Sequence, residues 1–120
     1  VQKRAEVMDE WHRAELKRIV PQLIAKWEKR IGVESNDYGI KKMRTKWGSC
    51  NTEAKRIWLN LELAKKPKEC LEYIIVHELV HLLERSHNER FVKFMNEFMP
   101  KWQYLSDELN RLPYSHVDWD

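Results

Sequence analysis

A chain of 120 residues with 42% hydrophobic and 34% charged side chains and a formal net charge of +3 is sized for one domain around one core, here residues 1–120 as a unit. Only three Gly and four Pro exclude a loop-dominated or low-complexity chain, and no apolar run approaches the roughly 18 residues of a membrane span. Cys50 and Cys70 lie outside any Cys-x-x-Cys spacing and read as reduced thiols; with no secretory leader in view at Val1, the expected compartment is the cytoplasm.

In chain order, Met8, Trp11, Leu16, Ile19, Val20, Leu23, Ile24 and Trp27 recur mostly at three-and-four spacing between charged residues. That predicts a helix over residues 5–30, within an N-terminal helical region spanning residues 1–32. Pro21 predicts a kink or two helices meeting near Val20, and Gly32 a C-terminal cap. His12 on this stretch reads as a surface or capping histidine rather than a ligand.

Residues 33–63 change character. Asp37-Tyr38-Gly39 signals a turn, Ile40 to Thr45 a short strand, Trp47 to Thr52 a second turn and Arg56 to Asn60 a second strand, so an antiparallel hairpin is the expected pairing. The open edge of residues 57–60 offers backbone groups to an extended peptide, with plain sheet formation as the alternative. Residues 41–70 carry nine basic side chains (Lys41, Lys42, Arg44, Lys46, Lys55, Arg56, Lys65, Lys66, Lys68) against three Glu. A nucleic-acid face and an ordinary solvated surface both fit that asymmetry.

Pro67 is placed for the first turn of a helix over about 67–84. Within it, Leu71, Ile74, Ile75, Val76, Leu79, Val80, Leu82 and Leu83 spread almost all round the axis, the pattern of a buried helix. The same helix holds His77-Glu78-Leu79-Val80-His81. Histidines at i and i+4 point the same way and reach one metal ion, while the glutamate beside the first can touch a water on that ion. Polar groups in a buried helix must be paired or metal-bound, because leaving them bare costs about 2–7 kcal/mol each. His87 lies far enough beyond His81 for the chain to return a third nitrogen. Three protein ligands plus water describe a catalytic zinc, with His77, His81 and His87 as ligands and Glu78 as general base. Ser86 and Glu89 stand at capping-box spacing, predicting a new helix near His87. It carries the stripe Phe91, Phe94, Met95, Phe98. Pro100 opens and Pro113 closes a last helix with Trp102, Leu105 and Leu109, completing the helical region over residues 67–113.

Taken with the upstream Trp47-Gly48-Ser49-Cys50, the set His77, Glu78, His81 and His87 resembles the YgjP-like metal-dependent hydrolases, small zincins more distantly related to SprT-like proteases. The resemblance runs from about Ile40 to Arg111 and includes a Phe shortly after the third histidine. It implies a zincin-like α+β fold: a buried active-site helix with flanking helices packed against a small antiparallel sheet. It implies one Zn2+ per chain on the three histidines, Glu78 as base, and peptide-bond hydrolysis. Beside other members, a chain that starts at Val1 reads as a core fragment or a short member. Metzincins share the His81-to-His87 interval but carry a glycine where this chain has Glu84, which predicts a longer helix and a different return of His87. A gluzincin arrangement would take Glu97 as third ligand.

The expected chemistry is hydrolysis of an amide: zinc acidifies a bound water, Glu78 takes its proton and passes it to the leaving amine, and a further group steadies the oxyanion. Tyr104, Tyr114 and His116 are the candidate types for that last role. The expected partner is a peptide or protein substrate, with no membrane. Two rival readings remain: a protease of nucleic-acid-bound proteins docked through residues 41–70, and a non-catalytic, metal-stabilised interaction domain, which a saturated four-ligand site would mark. No fourth protein ligand stands out, Cys50 being the one candidate to approach.

Overall fold

The most apolar stretch of the chain becomes the axis on which the other elements are hung. In the computed structural model, which describes residues 2–111, this is helix α2 (Lys68–Val80), and from Cys70 to Val80 every residue except Glu72 is buried. The remaining elements are α1 (Gln2–Ile31), β1 (Asp37–Lys41), β2 (Gly48–Asn51), β3 (Arg56–Asn60), a 3-10 turn (Leu61–Lys65), α3 (Glu89–Phe98) and α4 (Trp102–Asn110). Helix α2 touches α1, β2, β3, α3 and α4. Burial from so many sides is what its all-round apolar pattern demands.

The N-terminal helix is a single one. Pro21 lies inside α1 without interrupting it, so no pair of helices meets at Val20. Pro21 and Lys17, whose carbonyl loses its partner, are both exposed, and water can serve that carbonyl. Gly32 caps the helix as expected, with φ +82°, and the amides of Gly32 and Val33 both donate to the Glu28 carbonyl. His12 differs from expectation: it is buried along the helix rather than at the surface or at a cap.

The fold is α+β, as expected, but its small sheet is mixed rather than antiparallel. Strand order is β1-β3-β2; β1 runs parallel to β3, with Tyr38 opposite Ile57 and Ile40 opposite Leu59. The hairpin partner of β3 is β2, antiparallel, with Gly48 opposite Leu59 and Cys50 opposite Ile57. The stretch Trp47–Thr52, expected as a turn, therefore supplies a strand, and the turn lies at Thr52–Lys55. There Asn51 Oδ1 accepts from the amides of Glu53 and Ala54 (3.1 and 3.0 Å), and Lys55 adopts φ 54°. An Asx turn of this kind closes the hairpin without glycine. Because β3 is central, residues 57–60 have no open edge for a peptide; the edge strands are β1 and β2. Asn60 ends β3 and braces the preceding loop, its amide donating to the carbonyls of Met43 and Lys46 (2.9 and 2.7 Å).

Beyond Val80 the backbone tightens sooner than expected. The amides of Leu82 and Leu83 donate to Leu79 and Val80 (3.0 and 2.8 Å), and α2 ends there rather than at residue 84. The next helix begins at Glu89 with Asn88 as N-cap, its side chain accepting from the Phe91 amide (3.0 Å). Ser86 is not the cap; its amide is bound to the Glu84 carboxylate (3.1 Å). Helix α4 begins at Trp102, two residues after Pro100, while Pro113 falls outside the described residues. No helix among the described residues is long and apolar enough to cross a membrane.

Candidate active site

Helical periodicity and one turn bring three imidazoles together. His77 and His81 project from successive turns at the C-terminal end of α2, and His87 comes back from the turn before α3. His87 Nε2 lies 3.2 Å from His77 Nε2 and 3.1 Å from His81 Nε2. Ligand atoms of all three fall within 4.8 Å of one another.

Those spacings fit a metal. Four ligands about 2.0–2.1 Å from a tetrahedral zinc stand about 3.3–3.4 Å apart, close to the two separations that His87 makes. Hydrogen bonding alone fits poorly, since one ring proton on His87 Nε2 serves only one of its two contacts. The His81 tautomer follows from its outer contact: Nδ1 lies 3.1 Å from the Glu84 carbonyl, which can only accept. Nδ1 is therefore the protonated nitrogen, and Nε2 turns its lone pair toward the other histidines.

The turn that returns His87 is knitted by Glu84. Besides receiving the Ser86 amide, its carboxylate pairs with Arg90 Nη1 at 3.3 Å. The hydrogen bond from the Ser86 amide holds this carboxyl below its ordinary range, with help from Asn88 and Arg90. Glu84 thus braces the turn with its side chain at the position where metzincins use a glycine to bend it.

Phe91, in the first turn of α3, closes the site from one side. Its ring stands 4.9, 4.7 and 5.0 Å from the rings of His77, His81 and His87 and is itself buried. One aromatic plate thus limits how all three imidazoles can rotate. Against His77 from the other direction lies Tyr73, one helical turn back, at 6.1 Å between ring centroids. Burial pushes the Tyr73 phenol far above its ordinary range, opposed by a hydrogen bond with Ser106 of α4.

Glu78 is 1% exposed, and His77 and His81 are 3% and 5% exposed; this is a water-poor setting, where charges interact strongly. The Glu78 carboxylate faces β2. A β-carbon built on Gly48 would lie 3.0 Å from Glu78 Oε2 and 2.8 Å from Ile74 Cγ2. Glycine at 48 is therefore a requirement of close approach between strand and helix rather than of a turn. Beside it, Trp47 is buried and donates from its indole to Asn110 Oδ1 of α4 (3.2 Å), tying the strand to the last helix.

Among the described residues, no other His, Cys, Asp or Glu joins the three-histidine group. Cys50 is half-buried on β2 and Cys70 fully buried on α2, and both are thiols rather than a disulfide pair. Glu97 is exposed on α3, outside the group. Of the oxyanion candidates, Tyr104 is 60% exposed on α4, and Tyr114 and His116 lie outside the described residues. The sequence singled out Gly48 only as part of a motif and Glu84 only as a departure from the metzincin glycine; their packing roles, and the Tyr73–Ser106 pair, emerge only in the fold.

A buried helix bearing a His-Glu-x-x-His run, a third histidine returned by a tight turn and a small mixed sheet over the glutamate define a zincin-like metallopeptidase. The chain matches the YgjP-like metallopeptidase domain over residues 1–112 and belongs to that family. Two solved structures share the fold. The metallopeptidase zymogen abylysin of Pyrococcus abyssi superposes with a TM-score of 0.71 at 18% identity, over 78% of this chain and 93% of that one. The metallopeptidase zymogen jannalysin of Methanocaldococcus jannaschii does so with a TM-score of 0.66 at 22% identity, over 77% and 94%. No curated protein matches the sequence. Family and fold together support a metal-dependent peptidase.

Proposed function

We propose that the protein is a zinc-dependent peptidase in which His77, His81 and His87 hold the ion and Glu78 is the general base. The observation that carries this reading is the meeting of three imidazoles, their ligand atoms within 4.8 Å of one another, with a buried glutamate on the helix that supplies two of them. When bound, the ion supplies Lewis-acid polarisation of the scissile carbonyl and acidifies water to a pKa of about 7. The chain supplies the rest. Glu78 takes the proton from the attacking water on a carboxylate oxygen and delivers it to the leaving amine, the two proton transfers that amide hydrolysis needs. Its burial keeps bulk water from competing for that proton.

The substrate is a peptide in extended form. Residues 57–60 are fully paired, so the strand that offers it backbone groups is β2, which bears no second partner strand among the described residues and starts where the glutamate packs. Cys50 and Cys70 as reduced thiols agree with a cytoplasmic setting. A site with three protein ligands leaves coordination open for chemistry, which favours an enzyme over a metal-stabilised scaffold.

The nucleic-acid reading draws on a cleft of about 600 Å³ whose walls include Lys42, Arg44, Trp47 and Lys65. Two of its three cations are already paired, Lys42 with Asp9 at 2.9 Å and Lys65 with Glu62 at 3.0 Å. That leaves less charge for phosphates, and we rank this reading second. Salt-dependent binding to mixed-sequence DNA would raise it; no binding at low salt removes it.

The test of the peptidase is incubation of an unfolded protein substrate with protein stripped by chelator and with the same protein after zinc is restored. New amino termini that appear only with zinc are the expected result. Equal cleavage by the stripped protein, or none in either state, contradicts the reading.

A further inference from the structure

Beside the three histidines the surface opens into a cleft of about 340 Å³, lined by His77, His87, Phe91, Val92, Trp102 and Ser106. We infer that this cleft is the specificity pocket of the enzyme and that it takes an apolar side chain, leucine- to phenylalanine-sized, flanking the scissile bond. The inference rests on the peptidase reading above and adds to it the class of residue recognised.

Three features carry it. The first is position: two of the lining residues are the histidines themselves, so whatever fills the cleft is held next to the reacting bond. The second is chemistry. Apart from the histidines, the walls are two aromatic rings, one valine and one serine, and the serine hydroxyl is engaged by buried Tyr73. Among the described residues no carboxylate, ammonium or guanidinium lines it, so a charged side chain entering would lose hydration without gaining a partner there.

The third feature is rigidity. Phe91 is wedged against all three imidazoles, and the Trp102 indole is pinned by its N–H donating to Asn96 Oδ1 at 2.7 Å. A wall whose rings cannot turn discriminates by size as well as polarity. Val92, 37% exposed, sits at the mouth, where exchange tunes entry without disturbing the core.

The experiment uses N-acetyl amino-acid hydroxamates, which pair a metal-binding head with one side chain, titrated calorimetrically into zinc-loaded protein. The leucyl and phenylalanyl compounds should bind at least about tenfold more tightly than the glycyl one, and the aspartyl compound no more tightly than the glycyl. Val92→Asn, which adds no charge near the ion, should reduce the leucyl-to-glycyl ratio severalfold while its zinc content and circular dichroism stay unchanged. Equal affinity for glycyl and leucyl compounds, a preference for aspartyl, or a ratio unmoved by Val92→Asn overturns the pocket, and so does failure of every hydroxamate to bind. Cleavage of a peptide library by the same samples separates the two readings. Cleavage with no apolar preference removes the pocket and leaves the peptidase; side-chain-selective hydroxamate binding without cleavage removes the peptidase, and with it the specificity role, and leaves only an apolar binding cleft.

Discussion

Helix α2 carries two carboxylates, Glu72 and Glu78, that the molecule treats in opposite ways. Glu72, near the N-terminal end, faces α1 and is answered there by Lys26 Nζ at 2.8 Å and the Trp27 indole at 2.7 Å. Burial pushes its carboxyl up, but the hydrogen bonds from Lys26 and Trp27 outweigh that and hold it below its ordinary range. Glu78, near the other end, is buried more deeply, and what the strand brings against it is the backbone of Gly48. One carboxylate is anchored between two helices and serves the fold. The other, at the helix end that bears His77 and His81, packs against Gly48 and is the proton carrier of the proposed mechanism. On that mechanism, the same residue type on the same helix is structural or chemical according to what its neighbours offer.

The contrast can be broken at either end. The largest effect is expected from Glu78→Gln, which should lower peptide turnover by about 10² to 10⁴-fold while leaving zinc content unchanged; metal analysis beside a kinetic assay checks both halves. Phe91→Ala comes next. It should cost about 3–5 kcal/mol of stability in chemical denaturation and weaken zinc retention, because the plate that restrains all three imidazoles is gone.

Gly48→Ala is expected to cost about 1–3 kcal/mol through the overlap with Ile74 and the Glu78 carboxylate, and to reduce turnover more than the stability loss accounts for. A variant with full activity would show that Glu78 is not held by the strand. Glu72→Gln is the smallest, at about 1–2 kcal/mol, with zinc content and turnover unaltered. Its pH signature has a definite sign. A depressed carboxyl contributes stability that is complete above its ordinary value of 4.5 and is lost as pH falls through the folded-state value. Wild type should therefore lose more stability on acidification below that range than Glu72→Gln does.

The half of the site that lies on one helix was legible in the sequence. His77, Glu78 and His81 are fixed relative to one another by helical periodicity, and the all-round apolar pattern of residues 71–80 announced burial. The features that depend on chain returns were legible only in outline. His87 was expected at a helix start because Ser86 and Glu89 have capping spacing. Asn88 takes that role instead, being the residue whose side chain reaches the Phe91 amide, while Ser86 is held by Glu84. The sheet was misread for a related reason. Trp47-Gly48-Ser49-Cys50-Asn51-Thr52 has the composition of a turn, but Gly48 is there to let Glu78 approach. Once that stretch is a strand it takes the antiparallel place beside β3 and leaves β1 to pair in parallel. Pro21 illustrates the opposite case, a strong local signal overridden because the affected turn of α1 faces water.

The most direct test of the account is elemental analysis of protein purified without added metal, beside His87→Ala prepared identically. The account predicts about one zinc per chain in the wild type and little in the variant, because His87 completes the three-nitrogen site. A metal-free wild type, or zinc bound equally well without His87, would contradict it.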